Sequence, residues 1–159
     1  MNLFETKERL KEIERKFKVN AIVGSIIAKI NPTEIQQAYL LNSEGLSVRV
    51  RIKDSKAFLT IKGGTNPLIR DEFEYEIPIL EANEMLANYC KQRLIKKRYC
   101  LKQGELTWEI DVFEGKLSGL IIAEIELPSI ETTFELPQWI EEEVTMDPNY
   151  MNANLILRC

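Results

Sequence analysis

Charged side chains recur in this sequence as doublets separated by a single residue. Glu12 and Glu14 are followed by Lys16, and Arg49-x-Arg51, Glu74-x-Glu76, Lys96-x-Arg98 and Glu124-x-Glu126 come later. Lys62 and Asp111 sit at matching positions in their own segments. Clustered carboxylates are hard oxygen ligands suited to Mg²⁺ or Mn²⁺. Clustered guanidinium and ammonium groups suit phosphates. The chain has no histidine, which removes Ser-His-Asp and Cys-His nucleophilic chemistry and imidazole metal sites. Its three cysteines, Cys90, Cys100 and Cys159, have no CxxC spacing. A disulfide framework or zinc site is therefore not expected. Cys90 and Cys100 read as buried or half-buried thiols and Cys159 as an exposed one.

A spacing of two places side chains on one face only if the segment is a strand. In Glu12 to Val19, read as a strand, Glu12, Glu14, Lys16 and Lys18 share one face, and Ile13, Arg15, Phe17 and Val19 the other. The same alternation runs through 35–41, 46–53, 57–62, 70–77, 95–101, 106–113 and 121–127. Turn residues separate these segments: Asn42 to Gly45, Lys53 to Lys56, Gly63 to Pro67 and Gln103 to Glu105. Helical spacing appears after Asn20 (Ile22, Ile26, Ile27, Ile30) and after Pro78 (Ile79, Ala82, Leu86, Tyr89, Cys90). A third short helix is expected from Ser129 to before Pro137, and a turn or helix after Asp147-Pro148 carrying Tyr150 and Asn152. Met1 to Lys11 reads as a short helical N-terminal extension of a single domain spanning 1–159.

About eight such strands make an antiparallel barrel or sandwich. Two readings of the charged faces follow. They are either solvated strand faces around an apolar interior, or they line a lumen whose apolar outer wall is covered by the helices at 21–30, 79–94 and 129–136. The charges segregate by strand into acidic and basic groups, and the amphipathic helices need a sheet face to cover. Like charges about 5 Å apart repel by roughly 3 kcal/mol at an effective dielectric near 20. A ligand that brings both missing signs relieves this, and a metal-bound triphosphate does so.

The motifs together resemble a known family. Glu12-Ile13-Glu14-Arg15-Lys16 is similar to the ExExK signature of the CYTH superfamily, the triphosphate tunnel metalloenzymes. The resemblance continues through Tyr39-Leu40, Arg49-Val50-Arg51, Leu59 to Lys62, Glu74 to Ile77, Lys96 to Tyr99, Glu109 to Phe113 and Glu124-Ile125-Glu126. It implies an all-β-dominated (α+β) fold: an eight-stranded antiparallel closed barrel, a tunnel with a charged lumen and a few helices packed outside. It implies that Lys16, Arg49, Arg51, Lys62, Lys96 and Arg98 bind triphosphate. Glu12, Glu14, Asp111, Glu124 and Glu126 would carry Mg²⁺ or Mn²⁺, Glu74 and Glu76 would line the tunnel, and Lys16, Glu12 and Glu14 would be catalytic. Glu72 adds a third acid beside Glu74 and Glu76.

The activity expected on that resemblance is metal-dependent hydrolysis of inorganic triphosphate. A class IV adenylate cyclase, a nucleoside or thiamine triphosphatase, and a non-catalytic polyphosphate-binding module are the alternatives. Trp108 falls on the outward face and Trp139 in a loop, so no aromatic pair is spaced to stack a base. The net charge of −4 speaks against general nucleic-acid binding. No apolar run is long enough to span a membrane, and the N-terminus lacks a signal-peptide core. A cytoplasmic protein without nucleic-acid or membrane partners is expected, with a homodimer left open.

Overall fold

The computed structural model describes residues 11–159. The N-terminal extension expected over 1–11 lies outside these, except Lys11, which already belongs to the first strand. Among the described residues nine strands form one antiparallel sheet: β1 (Lys11–Val19), β2 (Thr33–Ser43), β3 (Leu46–Lys53), β4 (Lys56–Gly63), β5 (Ile69–Ile77), β6 (Leu94–Gln103), β7 (Leu106–Phe113), β8 (Ile121–Glu126) and β9 (Ile140–Glu143). Three short helices accompany them: α1 (Val23–Ile27), α2 (Ile79–Tyr89) and α3 (Asn152–Leu155).

The sheet order is β5-β4-β3-β2-β6-β7-β8-β1-β9, and β5 also pairs with β1. That pairing closes eight strands into a barrel. β1 makes the closure because its two edges are used differently. Glu14 to Lys18 pair with Glu126 to Ile122 of β8. On the other edge, Lys11 to Ile13 pair with Asp71 to Ile69 of β5, and Phe17 and Val19 pair with Glu143 and Ile140 of β9. Tight hairpins join neighbours. Gly45 (φ 76°) and Gly104 (φ 60°) take left-handed turn positions that cost glycine no Cβ clash. Asp54 adopts φ 51° in the β3–β4 turn, where its carboxylate accepts a 2.9 Å bond from the Glu34 N–H.

The apolar outer wall is covered on two sides. α2 opens at Pro78, whose fixed φ suits a helix start. It buries Ala82 and Leu86 in a cluster with Ala38, Val50 and Ala57 of the β2–β4 wall. Its stripe is narrower than the sequence pattern suggests, since Tyr89 is 72% exposed. On the β1-β7-β8 side, Phe17, Trp108, Ile110, Ala123 and Ile125 pack with Val23 of α1 and with Trp139. Trp108 stands edge-on to Phe17, Phe134 and Trp139, at centroid separations of 5.5, 5.7 and 5.3 Å.

Two expectations are corrected here. Residues 129–136 form no helix but an irregular strap. The Thr132 hydroxyl accepts from the Ser129 N–H at 3.2 Å, a bond of the kind that opens a helix, but only a turn at 130–131 follows. Only Phe134 of the strap's apolar residues joins the core, while Ile130 and Leu136 stay exposed. Trp139 lies in the turn before β9, outside any strand or helix as expected, but its side chain is buried in the core. The thiols also differ from expectation: Cys100 is exposed, and Cys159 is half-buried like Cys90. Among the described residues no helix is long and apolar enough to cross a membrane.

Candidate active site

Directly opposed residues of antiparallel neighbours share a face, so the register decides which charges meet inside. Lys16 opposes Glu124, which opposes Glu109. Arg98 opposes Asp111, Gln37 opposes Arg51, Thr60 opposes both Arg49 and Glu74, and Lys62 opposes Glu72. Glu12 opposes Arg70. The charged faces thus point inward around a cavity of about 620 Å³. Its wall includes Glu12, Glu14, Lys16, Arg49, Arg51, Lys62, Glu74, Arg98, Glu124 and Glu126. Asn42, Ser47, Met151, Asn152 and Asn154 line it as well.

Inside, most cations hold a carboxylate. The Lys16 ammonium donates to Glu124 and lies 2.6 Å from Glu14. Arg98 donates to both oxygens of Asp111, at 2.7 Å each, to Glu124 at 2.8 Å and to Glu109. Lys62 meets Glu12 at 2.6 Å and Glu72 at 2.8 Å. Arg49 reaches Glu74 mainly through Thr60: its Nη2 donates to Oγ1 at 3.2 Å, and Oγ1 donates on to Glu74 at 2.7 Å. Arg51 differs: its Nε donates to the neutral Gln37 amide oxygen at 3.2 Å.

Titration follows this arrangement. Burial opposes charge on Lys16, but Glu124 and Glu14 outweigh it and raise its pKa, so it remains an ammonium. Burial likewise disfavours the Glu124 carboxylate, yet Lys16, Lys96 and Arg98 hold its pKa well below the usual range. Glu126 behaves oppositely. Partial burial, then Glu12, Glu72, Glu14 and Glu109, push it up to about 7. Burial, then Arg49 and Arg98, pull Arg51 down to about 10.

Three site residues expected from sequence lie away from the cavity wall. Lys96 and Asp111 are fully buried and paired beneath the floor. Glu76 stands in an exposed ion pair with Lys56 at 3.0 Å. The structure adds Glu72, Glu109, Arg70 and Thr145 to the wall. Glu109 and Arg70 were legible, being two residues from Asp111 and Glu72. Thr145 was not: its hydroxyl accepts from the Lys16 N–H at 3.0 Å and donates to Glu143 at 2.7 Å, across the β1–β9 contact.

The donor set fits a divalent metal. Glu12, Glu14, Glu124 and Glu126 offer oxygen ligands on one cavity wall, and their mutual repulsion is what a cation would relieve. Among the described residues no three carboxylates are already drawn into a cage. Most of them are turned onto Lys16, Lys62, Arg70 or Arg98 instead.

Known proteins share this arrangement's sequence and fold. An inorganic triphosphatase of Acetivibrio thermocellus is 45% identical over 147 residues, covering 92% of this chain and 93% of that protein. One from Nitrosomonas europaea is 34% identical over 153 residues, covering 92% and 97%. The crystal structure of an inorganic triphosphatase superposes with a TM-score of 0.63 at 31% identity, over 93% of this chain and 95% of that one. A putative adenylyl cyclase from Hippeastrum, described as having a dominant triphosphatase activity, shares the fold with a TM-score of 0.53 at 16% identity, over 73% of this chain and 79% of that one. The model of the CYTH domain matches residues 10–158. With the inward-facing ExExK strand and the closed barrel, that match places this chain in the CYTH family.

Proposed function

We propose that this protein is a metal-dependent inorganic triphosphatase, cleaving triphosphate and water to pyrophosphate and phosphate inside the barrel. The observation that carries this is the cavity wall, on which Arg49, Arg51, Arg98, Lys16 and Lys62 converge among carboxylates in a space of about 620 Å³. The relatives named inorganic triphosphatase support the substrate. So does the lining: Tyr39 is its one aromatic residue among those described, which leaves a purine nothing to stack between.

Glu12, Glu14, Glu124 and Glu126 would hold Mg²⁺ or Mn²⁺. When bound, the ion supplies neutralisation of phosphate oxygens and an acidified water. The chain's own groups do the rest. Arg49, Arg51 and Arg98 bind the equatorial oxygens and fix the triphosphate for in-line attack. Lys16, held charged by its neighbours, stabilises the negative charge that develops on the leaving pyrophosphate. A carboxylate of the Glu12, Glu14 and Glu126 group takes the proton from the attacking water. Asp111 keeps the Arg98 fork and Lys96 in place from below.

Phosphate release from purified protein tests this with triphosphate, pyrophosphate and ATP, each with Mg²⁺, Mn²⁺ or EDTA. The expected result is fast, EDTA-sensitive release from triphosphate and little from ATP. Cyclic AMP and pyrophosphate from ATP would instead make the protein a cyclase. Tight triphosphate binding without turnover would make it a binding module.

A further inference from the structure

Gln37 is fully buried in the middle of β2, yet it is not part of the cavity wall. It is directly opposite Arg51 on β3. Its Oε1 accepts the Arg51 Nε–H at 3.2 Å, and its Nε2 has no partner. Arg49 Nε, one rung further along β3, is also buried without a partner. These are the two unpartnered buried side-chain donors among the described residues. Buried donors normally find acceptors; Arg49, unlike Gln37, lines the cavity, so an oxygen-rich anion there would answer the surplus on its guanidinium.

The contrast with the other cations is informative. Lys16, Lys62, Lys96 and Arg98 each hold at least one carboxylate, and Arg49 has Glu74 at 3.7 Å. Arg51 has no ion pair among the described residues. Its one side-chain partner is a neutral amide that orients the guanidinium without cancelling its charge. We propose that Gln37 is a positioning residue for triphosphate: its neutral oxygen aims the Arg51 fork into the cavity, and its neutrality leaves that charge for the substrate. This deepens the triphosphatase reading and rests on it. Both halves matter, because a carboxylate at 37 would give the same geometry but occupy Arg51, and an aliphatic residue would leave Arg51 unoriented. The lowered pKa of Arg51 agrees, since it reflects burial among cations.

Two variants separate geometry from charge: Gln37→Leu and Gln37→Glu. Triphosphate hydrolysis is measured for KM and kcat with Mg²⁺, together with thermal melting. For both variants the expected KM is at least about tenfold above the wild type, with kcat changed by less than about threefold, because Arg51 contributes to ground state and transition state alike. Gln37→Glu is expected to melt at or above the wild-type temperature while binding poorly, a combination that a purely structural role for Gln37 would not produce. If Gln37→Leu does not fold, Gln37→Glu alone decides. A wild-type KM in Gln37→Glu would overturn the assignment, as would a loss confined to kcat. A wild-type protein that neither binds nor cleaves triphosphate would overturn the functional reading as well. Normal wild-type turnover with unaffected variants would overturn the Gln37 assignment only.

Discussion

Glu124 holds two cations at once, Lys16 and Arg98. Its carboxylate is buried and kept ionised by them. Glu124→Gln keeps the shape but removes a proposed metal ligand and the charge that neutralises both partners. We expect metal-dependent phosphate release to fall by at least about 100-fold, while Glu14 and Asp111 still hold the two cations and the protein still folds. Steady-state assays with a melting curve check this, and retained activity would sink the metal assignment. Glu126 adds a pH signature. With its pKa near 7, it carries a proton below that pH, and binding a metal must displace it. Mg²⁺ affinity measured by calorimetry should therefore rise with pH through 7 and level off above, and Glu126→Gln should flatten the profile. At this scale the doublets were legible because strand spacing alone places i and i+2 together. Gln37, Thr60 and Thr145 were not, because their partners come from other strands and an isolated amide or hydroxyl carries no pattern.

Elements were legible where alternation and turn chemistry agreed. Leu46–Lys53 and Leu106–Phe113 have the bounds read from sequence, each closed by a glycine or Asp turn. The stretch from Ser129 to Thr145 was not. Its Glu141-Glu142-Glu143 run lacks alternation, yet it forms β9 because β1 supplies a free edge. Lys18 and Arg15 also hold Glu142 and Glu143. Two kinds of contact fasten this strap, and they differ in strength. In the aromatic cluster Trp108, Phe17 and Trp139 are buried and Phe134 is half-buried, whereas the Arg15–Glu143 pair is about a third exposed on each side. Trp108→Ala should cost about 3–5 kcal/mol of unfolding free energy in urea titration. Arg15→Ala should cost about 1 kcal/mol or less from its ion pair, with a further packing loss over Phe17 and Phe134. Equal losses would mean that Arg15 seats β9 as firmly as the aromatic packing does.

Across the whole molecule, the barrel inverts the usual arrangement of a small β-protein. Its apolar residues form an outer wall covered by α1, α2 and the strap, and its charges face a shared lumen. Alternation alone left a barrel or a sandwich open, and the closed topology was expected from the CYTH resemblance; closure suits a charged interior because it leaves the wall without edges. What no single segment could reveal was the pairing inside. Acids and bases from strands far apart in sequence neutralise one another, so each occupies the place of a ligand of opposite sign. Metal bound to Glu12, Glu14 and Glu124 would free Lys62, Lys16 and Arg98 for phosphate, and phosphate would free the carboxylates in turn. The two ligands must then strengthen each other's binding by the same factor. The direct test is calorimetric titration of a non-hydrolysable triphosphate analogue with and without saturating Mg²⁺, and of Mg²⁺ with and without the analogue. Both affinities should increase by the same factor, about tenfold or more after correction for Mg²⁺ bound to the analogue in solution. Independent binding of the two ligands would contradict the exchange of partners on which this lumen is proposed to work.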